Sequence, residues 1–245
     1  MTGIAIFGAA SAIAQELARL YAAEGAACFL VGRNGERLDT VARDLKARGA
    51  ATVTTAVADL ADTAQHAALI AQAKAALGSI DRVLLAYGTL GDQRAGEADA
   101  AVMARELTVN FVSAASLLSH LADAMIPQKA GKVAVIGSVA GDRGRQSNYI
   151  YGSAKAGLGT FVLGLRHRLA KDGISVTLVK PGFVDTPMTA AFPKGPLWAS
   201  PSQVARDIRA AMERGSAVLY TPWFWRWIML IIRSVPDFIF RRTRL

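Results

Sequence analysis

The sequence predicts an α/β protein built on a doubly wound parallel sheet. Three observations carry this. Short, almost wholly apolar runs alternate with longer helical runs along all 245 residues. Near-continuous apolar runs belong to strands buried on both faces, which is where helical crossovers put them. No low-complexity linker or internal repeat divides the chain, and its 52% hydrophobic content suits one substantial core.

In chain order, Ile4–Gly8 reads as the first strand and Ala12–Glu24 as the helix after it. The turn between them, Gly8-Ala9-Ala10-Ser11-Ala12-Ile13-Ala14, stands where a helix N-terminus and free backbone N–H groups hold a phosphate. Only Gly8 is a glycine; Ala12 and Ala14 fill the other small positions, and Ser11 fits equally well as an ordinary N-cap. Ala27–Val31 is the second strand and contains the single Cys28, which reads as core packing. It ends in Gly32-Arg33-Asn34, without the acid that grips a ribose diol. Arg33 suits a 2′-phosphate or a solvated loop, and the missing acid favours NADP(H) over NAD(H). Helix Gly35–Arg48, strand Thr52–Ala56, helix Thr63–Ala76, strand Arg82–Ala86 and one long helix, Ala101–Ile126, follow. Strand Lys132–Ile136, helix Tyr149–Lys171, strand Ser175–Val179, helix Pro201–Glu213 and strand Ala217–Thr221 complete the pattern. In such a sheet, ligands bind outside the carboxyl ends of the strands.

The chemistry concentrates at Tyr151-Gly152-Ser153-Ala154-Lys155, with Ser138 thirteen residues before the tyrosine. Tyr151 and Lys155 share one helical face, a turn apart. An ammonium beside a phenol favours the phenolate and lowers its pKa from about 10 toward useful proton transfer. A serine hydroxyl holds a substrate oxygen. The set reads as a site that interconverts an alcohol and a carbonyl, although a Tyr-x-x-x-Lys spacing alone also arises by chance. His66, His120 and His167 lie far apart without carboxylate or cysteine company, so no metal site is expected.

Taken together, Gly8 to Ala14, Asp59-Leu60, Asn110, Ser138, Tyr151/Lys155 and Pro181-Gly182-Phe183-Val184-Asp185-Thr186 resemble the short-chain dehydrogenase/reductase family over nearly the whole chain. The resemblance implies a Rossmann-type NAD(P)-binding fold. It implies that Tyr151 is the general acid, that Lys155 tunes it and binds the nicotinamide ribose, that Ser138 binds the carbonyl, and that Asn110 holds a relay water. It also implies cofactor contacts from Gly8, Ser11, Ile13, Arg33, Asp59, Leu60, Ala86, Gly88, Pro181, Gly182, Val184 and Thr186. Two departures stand out: the alanine-substituted turn, and Leu85-Ala86-Tyr87-Gly88 where the family usually has Asn-Asn-Ala-Gly. A narrower resemblance, to decaprenylphosphoryl-2-keto-erythro-pentose reductases, rests on Ala86 to Asp92, Tyr151 to Leu158 and the tail from Tyr220 to Arg242. It implies reduction of a 2-keto pentose carried on a polyprenyl phosphate. The rival readings are a generic reductase of a small hydrophobic ketone or 3-oxoacyl thioester, and a catalytically idle nucleotide-binding scaffold.

The net charge is +9, and the last 32 residues hold six arginines against one acid, Asp237. Residues 1–221 read as the reductase domain, with Pro187–Ser200 as a substrate lid, and 222–245 as an apolar, basic tail. Trp223 to Arg233 is too short to span a bilayer, which takes about 20 residues. It suits a helix in a membrane interface, with Arg241, Arg242 and Arg244 near anionic head groups, or a buried oligomer contact. Arg143 and Arg145, between Ser138 and Tyr151, suit a substrate phosphate or a solvated loop with Asp142 as partner. A homo-oligomer is the family expectation. With no visible targeting segment, the expected location is cytoplasmic, at the inner face of the membrane if the tail binds it. No nucleic-acid motif accompanies the charge.

Overall fold

The computed structural model describes residues 1–243, so Arg244 and Leu245 of the tail lie outside the described residues. The elements run β1 (Gly3–Phe7), α1 (Ala12–Ala22), β2 (Ala27–Gly32), α2 (Gly35–Ala47), β3 (Thr52–Val57), α3 (His66–Leu77) and β4 (Arg82–Leu85). They continue with α4 (Gln93–Ala98), α5 (Ala100–Leu107), α6 (Ser113–Met125), β5 (Gly131–Ile136), α7 (Tyr149–Ala170) and β6 (Ile174–Pro181). Two short strands, β7 (Phe183–Val184) and β8 (Trp198–Ala199), precede α8 (Pro201–Arg214), β9 (Val218–Thr221), α9 (Trp225–Ser234) and α10 (Asp237–Phe240).

Seven strands form one sheet in the order β3-β2-β1-β4-β5-β6-β9, every pair parallel. The order reverses beside β1, between β1 and β4, which opens a crevice at the carboxyl ends. All seven predicted strands are present. The alternation of side chains along β1 explains the two layers of helices. Ala5 and Phe7 enter a core made with α3, α6 and α7, whereas Ile4 and Ile6 enter the opposite core made with α1, α2 and α8.

Helix ends follow local chemistry. Asn34 caps α2 by accepting a hydrogen bond from the Arg37 amide at 2.9 Å, and Ser200, followed by Pro201, caps α8 through the Gln203 amide at 3.2 Å. The predicted helix Ala101–Ile126 is instead interrupted by a π-turn at Thr108–Val112, which carries Asn110. The run Ala100–Gln128 is long and apolar enough to cross a membrane on length and composition. It is a core helix here, with Leu117, Leu118, Leu121 and Met125 buried in the core on the Phe7 side of the sheet.

The tail folds back on the body. Trp225 and Met229 are buried with Val139, while Tyr220, Phe224, Ile228 and Ile232 pack around them. A small two-stranded sheet, β7 with β8, brackets the segment predicted as a lid.

Candidate active site

The sequence-predicted site residues converge at the carboxyl ends of the strands. Gly8 follows β1, Arg33 follows β2, Asp59 comes two residues after β3, and Ala86 and Gly88 follow β4. Ser138 comes two residues after β5, and Pro181 closes β6. Gly8 adopts φ +90°, and a Cβ there would lie 2.8 Å from the Ala86 carbonyl carbon and the Tyr87 nitrogen. Glycine is therefore required at this one position of the turn. Ala12 and Ala14 lie inside the first turn of α1, where alanine is the better helix former, so the two substitutions cost the turn no necessary freedom.

Ser11 occupies the N-cap of α1 but its side chain makes no capping bond, and the first turn holds no acid. The first-turn amides are thus free donors at the positive end of the helix, and the loop fits a pyrophosphate. Arg33 is exposed, with no ion-pair partner among the described residues. Asp59 is exposed and accepts from the Ala61 amide at 3.1 Å, with Leu60 buried beside it. After β4, the Tyr87 hydroxyl lies 3.1 Å from Ser113 Oγ of α6, and burial pushes the phenol's pKa up to about 12.

Ser138 opens a 3₁₀ turn, Val139–Asp142, and accepts from the Ala140 amide at 3.1 Å. That turn is pressed onto α7: a Cβ on Gly141 would lie 2.8 Å from the Ala156 nitrogen. The contact sets Ser138 beside Tyr151. Lys155 is buried, donates to the Ile136 carbonyl at 3.0 Å and sits 5.7 Å from the Tyr151 ring centroid. Burial dominates both pKa values. It lifts Tyr151 to about 12 against the lowering effect of the neighbouring Ser138 hydroxyl, and drops Lys155 to about 8. The expectation of a phenol pulled toward neutrality by its ammonium is therefore not met in this arrangement. The ammonium donates to a backbone carbonyl, and desolvation is the leading cause of both shifts.

Asn110 is buried, and its amide is fully engaged. Oδ1 accepts from the Thr89 amide at 3.1 Å, and Nδ2 donates to the Glu106 carbonyl at 3.1 Å and to Glu106 Oε2 at 3.3 Å. Thr89 Oγ1 donates to the same Glu106 oxygen at 2.6 Å. Glu106 was not singled out from sequence. The available signal was its position four residues before Asn110, one turn away on the same face.

A cavity of about 210 Å³ adjoins Tyr151. Its polar lining is Asp92, Gln93, Glu106, Ser147 and Asn148, and its apolar lining includes Leu90, Ile150 and Phe192 of the lid segment. Arg143 and Arg145 do not line it. Arg143 donates to the Ile232 and Val235 carbonyls, both at 2.6 Å, and its guanidinium lies 3.7 Å from the Phe240 ring centroid. Arg145 reaches Met229 Sδ at 3.6 Å, and burial lowers its pKa. The expected phosphate ligands are thus holding the tail. Asp142 pairs with Lys180 and accepts from the Tyr220 hydroxyl at 2.7 Å, rather than serving either arginine. Gly182 lies directly against the Trp225 indole, Val184 pairs with Ala199, and the Thr186 amide donates to Thr189 Oγ1 at 3.2 Å. Among the described residues, no group of His, Cys, Asp and Glu side chains is arranged to hold a metal ion.

Residues 2–196 match the family model described as short chain dehydrogenase. Two Mycobacterium tuberculosis proteins, each named an uncharacterized oxidoreductase, are 41% identical over 239 residues, covering 98% of this chain and 96% of theirs. An uncharacterized oxidoreductase of Streptomyces coelicolor is 36% identical over 240 residues, covering 97% of this chain and 94% of its own. The crystal structure of levodione reductase superposes with a TM-score of 0.81 over 89% of this chain and 95% of that one. At 24% identity, that likeness is one of fold.

Proposed function

Because this chain belongs to the short-chain dehydrogenase/reductase family of oxidoreductases, we propose that it reduces a ketone on a hydroxyl-rich substrate with NADPH. We infer that this ketone is the 2-keto group of a pentose carried on a polyprenyl phosphate. The nicotinamide cofactor, when bound, supplies the hydride. The chain supplies the proton and the placement. Tyr151, protonated throughout the physiological range, gives its phenolic proton to the carbonyl oxygen, and Ser138 Oγ orients that oxygen. The open first turn of α1 receives the pyrophosphate, and Arg33 the 2′-phosphate.

The observation that carries the sugar reading is Glu106. One of its carboxylate oxygens braces Thr89 and Asn110, whereas Oε1 has no hydrogen-bond partner among the described residues and belongs to a residue lining the cavity beside Tyr151. A charged acceptor in that place suits substrate hydroxyls and ill suits a purely apolar ketone. The exposed Met188, Phe192 and Leu197 of the lid segment supply apolar surface for a polyprenyl chain.

The test compares kcat/KM for NADPH oxidation with a polyprenyl-phosphoryl 2-keto pentose, a free ketopentose, a small hydrophobic ketone and a 3-oxoacyl thioester. Glu106→Gln keeps an oxygen for Thr89 and Asn110 but turns the free acceptor into a donor. It is expected to lower kcat/KM on the sugar substrates by roughly ten- to a hundredfold and to leave the hydrophobic ketone unchanged. Preference of the wild type for the hydrophobic ketone or the thioester would overturn the sugar reading.

A further inference from the structure

We propose that the outer face of α9 and α10 is a docking surface for an anionic lipid bilayer. The helix is two-sided. Its inner face buries Trp225 and Met229 against the body, so the segment is held in place without any partner. Its outer face leaves Trp227 56%, Leu230 52% and Ile231 67% exposed, with Trp223 just before the helix and Phe238 and Ile239 just beyond it also exposed. A continuous exposed patch of this kind marks a partner surface.

The charge on the patch selects the partner. Arg226, Arg233, Arg241 and Arg242, all exposed, are interspersed with these apolar residues along the segment, with Asp237 as its sole acid. None of the four forms an ion pair among the described residues. A second copy of this chain, itself at +9, would set arginines against arginines across a two-fold contact. Indole rings at the level of the head groups, aliphatic side chains below them and guanidinium groups reaching phosphates are what a helix lying in the interface plane requires. The surface borders the active site. Trp225, on the inner face, stands edge-on to Phe183 at 5.3 Å, and Phe183 stacks on Trp198 at the end of the lid segment at 5.4 Å. A docked helix would thus hold the lid side of the pocket close to the lipid.

The experiment is co-sedimentation of the full chain with vesicles of phosphatidylglycerol and phosphatidylcholine, and with phosphatidylcholine alone, none containing substrate. Binding is expected to the anionic vesicles and to weaken as salt rises. Trp227→Asp with Ile231→Asp, and separately Arg241→Glu with Arg242→Glu, are expected to lower the vesicle affinity at least about tenfold. Since these side chains are exposed, the thermal unfolding midpoint should stay put. Absence of binding to anionic vesicles overturns the proposal, as does binding that neither pair of substitutions changes. The same holds if the substitutions split an oligomer, seen by sedimentation equilibrium, without any vesicle binding, since a second copy is then the occupant. No turnover is measured, so these outcomes are separate from the fate of the sugar-reductase reading.

Discussion

Tyr151 is half-buried and Lys155 buried, and desolvation moves them in opposite senses, to about 12 and about 8. The signs fix the kinetics. Tyr151 keeps its proton across the working range, so it does not set the alkaline limb of ketone reduction. Lys155 is charged below about 8 and neutral above it. We therefore expect kcat/KM for reduction to fall as pH rises through about 8, and Lys155→Arg, which stays charged, to move that limb upward. Tyr151→Phe should lower kcat by roughly 10²–10⁴-fold with NADPH affinity retained, measured by cofactor fluorescence. Arg33→Ala should weaken NADPH binding by roughly tenfold or more and leave NADH unchanged, since only the former carries a 2′-phosphate. The placement of these residues was legible in the sequence because it follows from local spacing and from the ends of the predicted strands. Glu106 was not, because a glutamate on a helix looks like a solvated charge until Thr89 and Asn110 are seen to converge on it. The contacts of Arg143 were hidden for a related reason: its partners, Ile232 and Val235, lie about ninety residues further along the chain.

At the level of elements, the strand–helix alternation was readable because burial on both sheet faces makes each strand an apolar run. The π-turn at Thr108–Val112 was not readable, since it inserts into a helix whose apolar pattern continues through it. Its effect is to turn Asn110 toward Thr89 and Gly88. The junction of β6 with α9 was also hidden, because it depends on a glycine meeting a tryptophan from the tail. A Cβ on Gly182 would overlap the Trp225 indole. Gly182→Ala should therefore destabilise the protein by roughly 1–3 kcal/mol. Adding Trp225→Leu, which makes room, should recover part of that loss relative to Trp225→Leu alone. Urea unfolding of the four proteins in a double-mutant cycle measures the coupling; strict additivity would mean that the indole moves aside freely.

Across the whole molecule, the two ends of the sheet do different work. The amino ends of the strands are tied by Glu213 of α8, which accepts from Arg82 of β4 at 2.9 Å and from Lys132 of β5 at 2.7 Å. Partial burial opposes its ionisation, but the two cations prevail and hold its pKa down at about 2. A depressed carboxyl pKa contributes stability above its unfolded value of about 4.3, and that contribution is lost as pH falls toward about 2. The wild type should thus outlast Glu213→Gln in thermal unfolding at pH 6, with the gap closing below about pH 4. The carboxyl ends hold the site, and here the tail matters in a way that concerns biosynthesis. Arg143, in the loop between Ser138 and Tyr151, is seated on carbonyls of Ile232 and Val235 and on the ring of Phe240. Those residues leave the ribosome about ninety residues after the loop. A nascent chain can assemble its sheet and the turn after β1 while the loop beside Tyr151 still waits for its support. Support for the loop is thus made later in synthesis than the loop itself, and a chain stalled before Phe240 would leave the segment between Ser138 and Tyr151 unfastened.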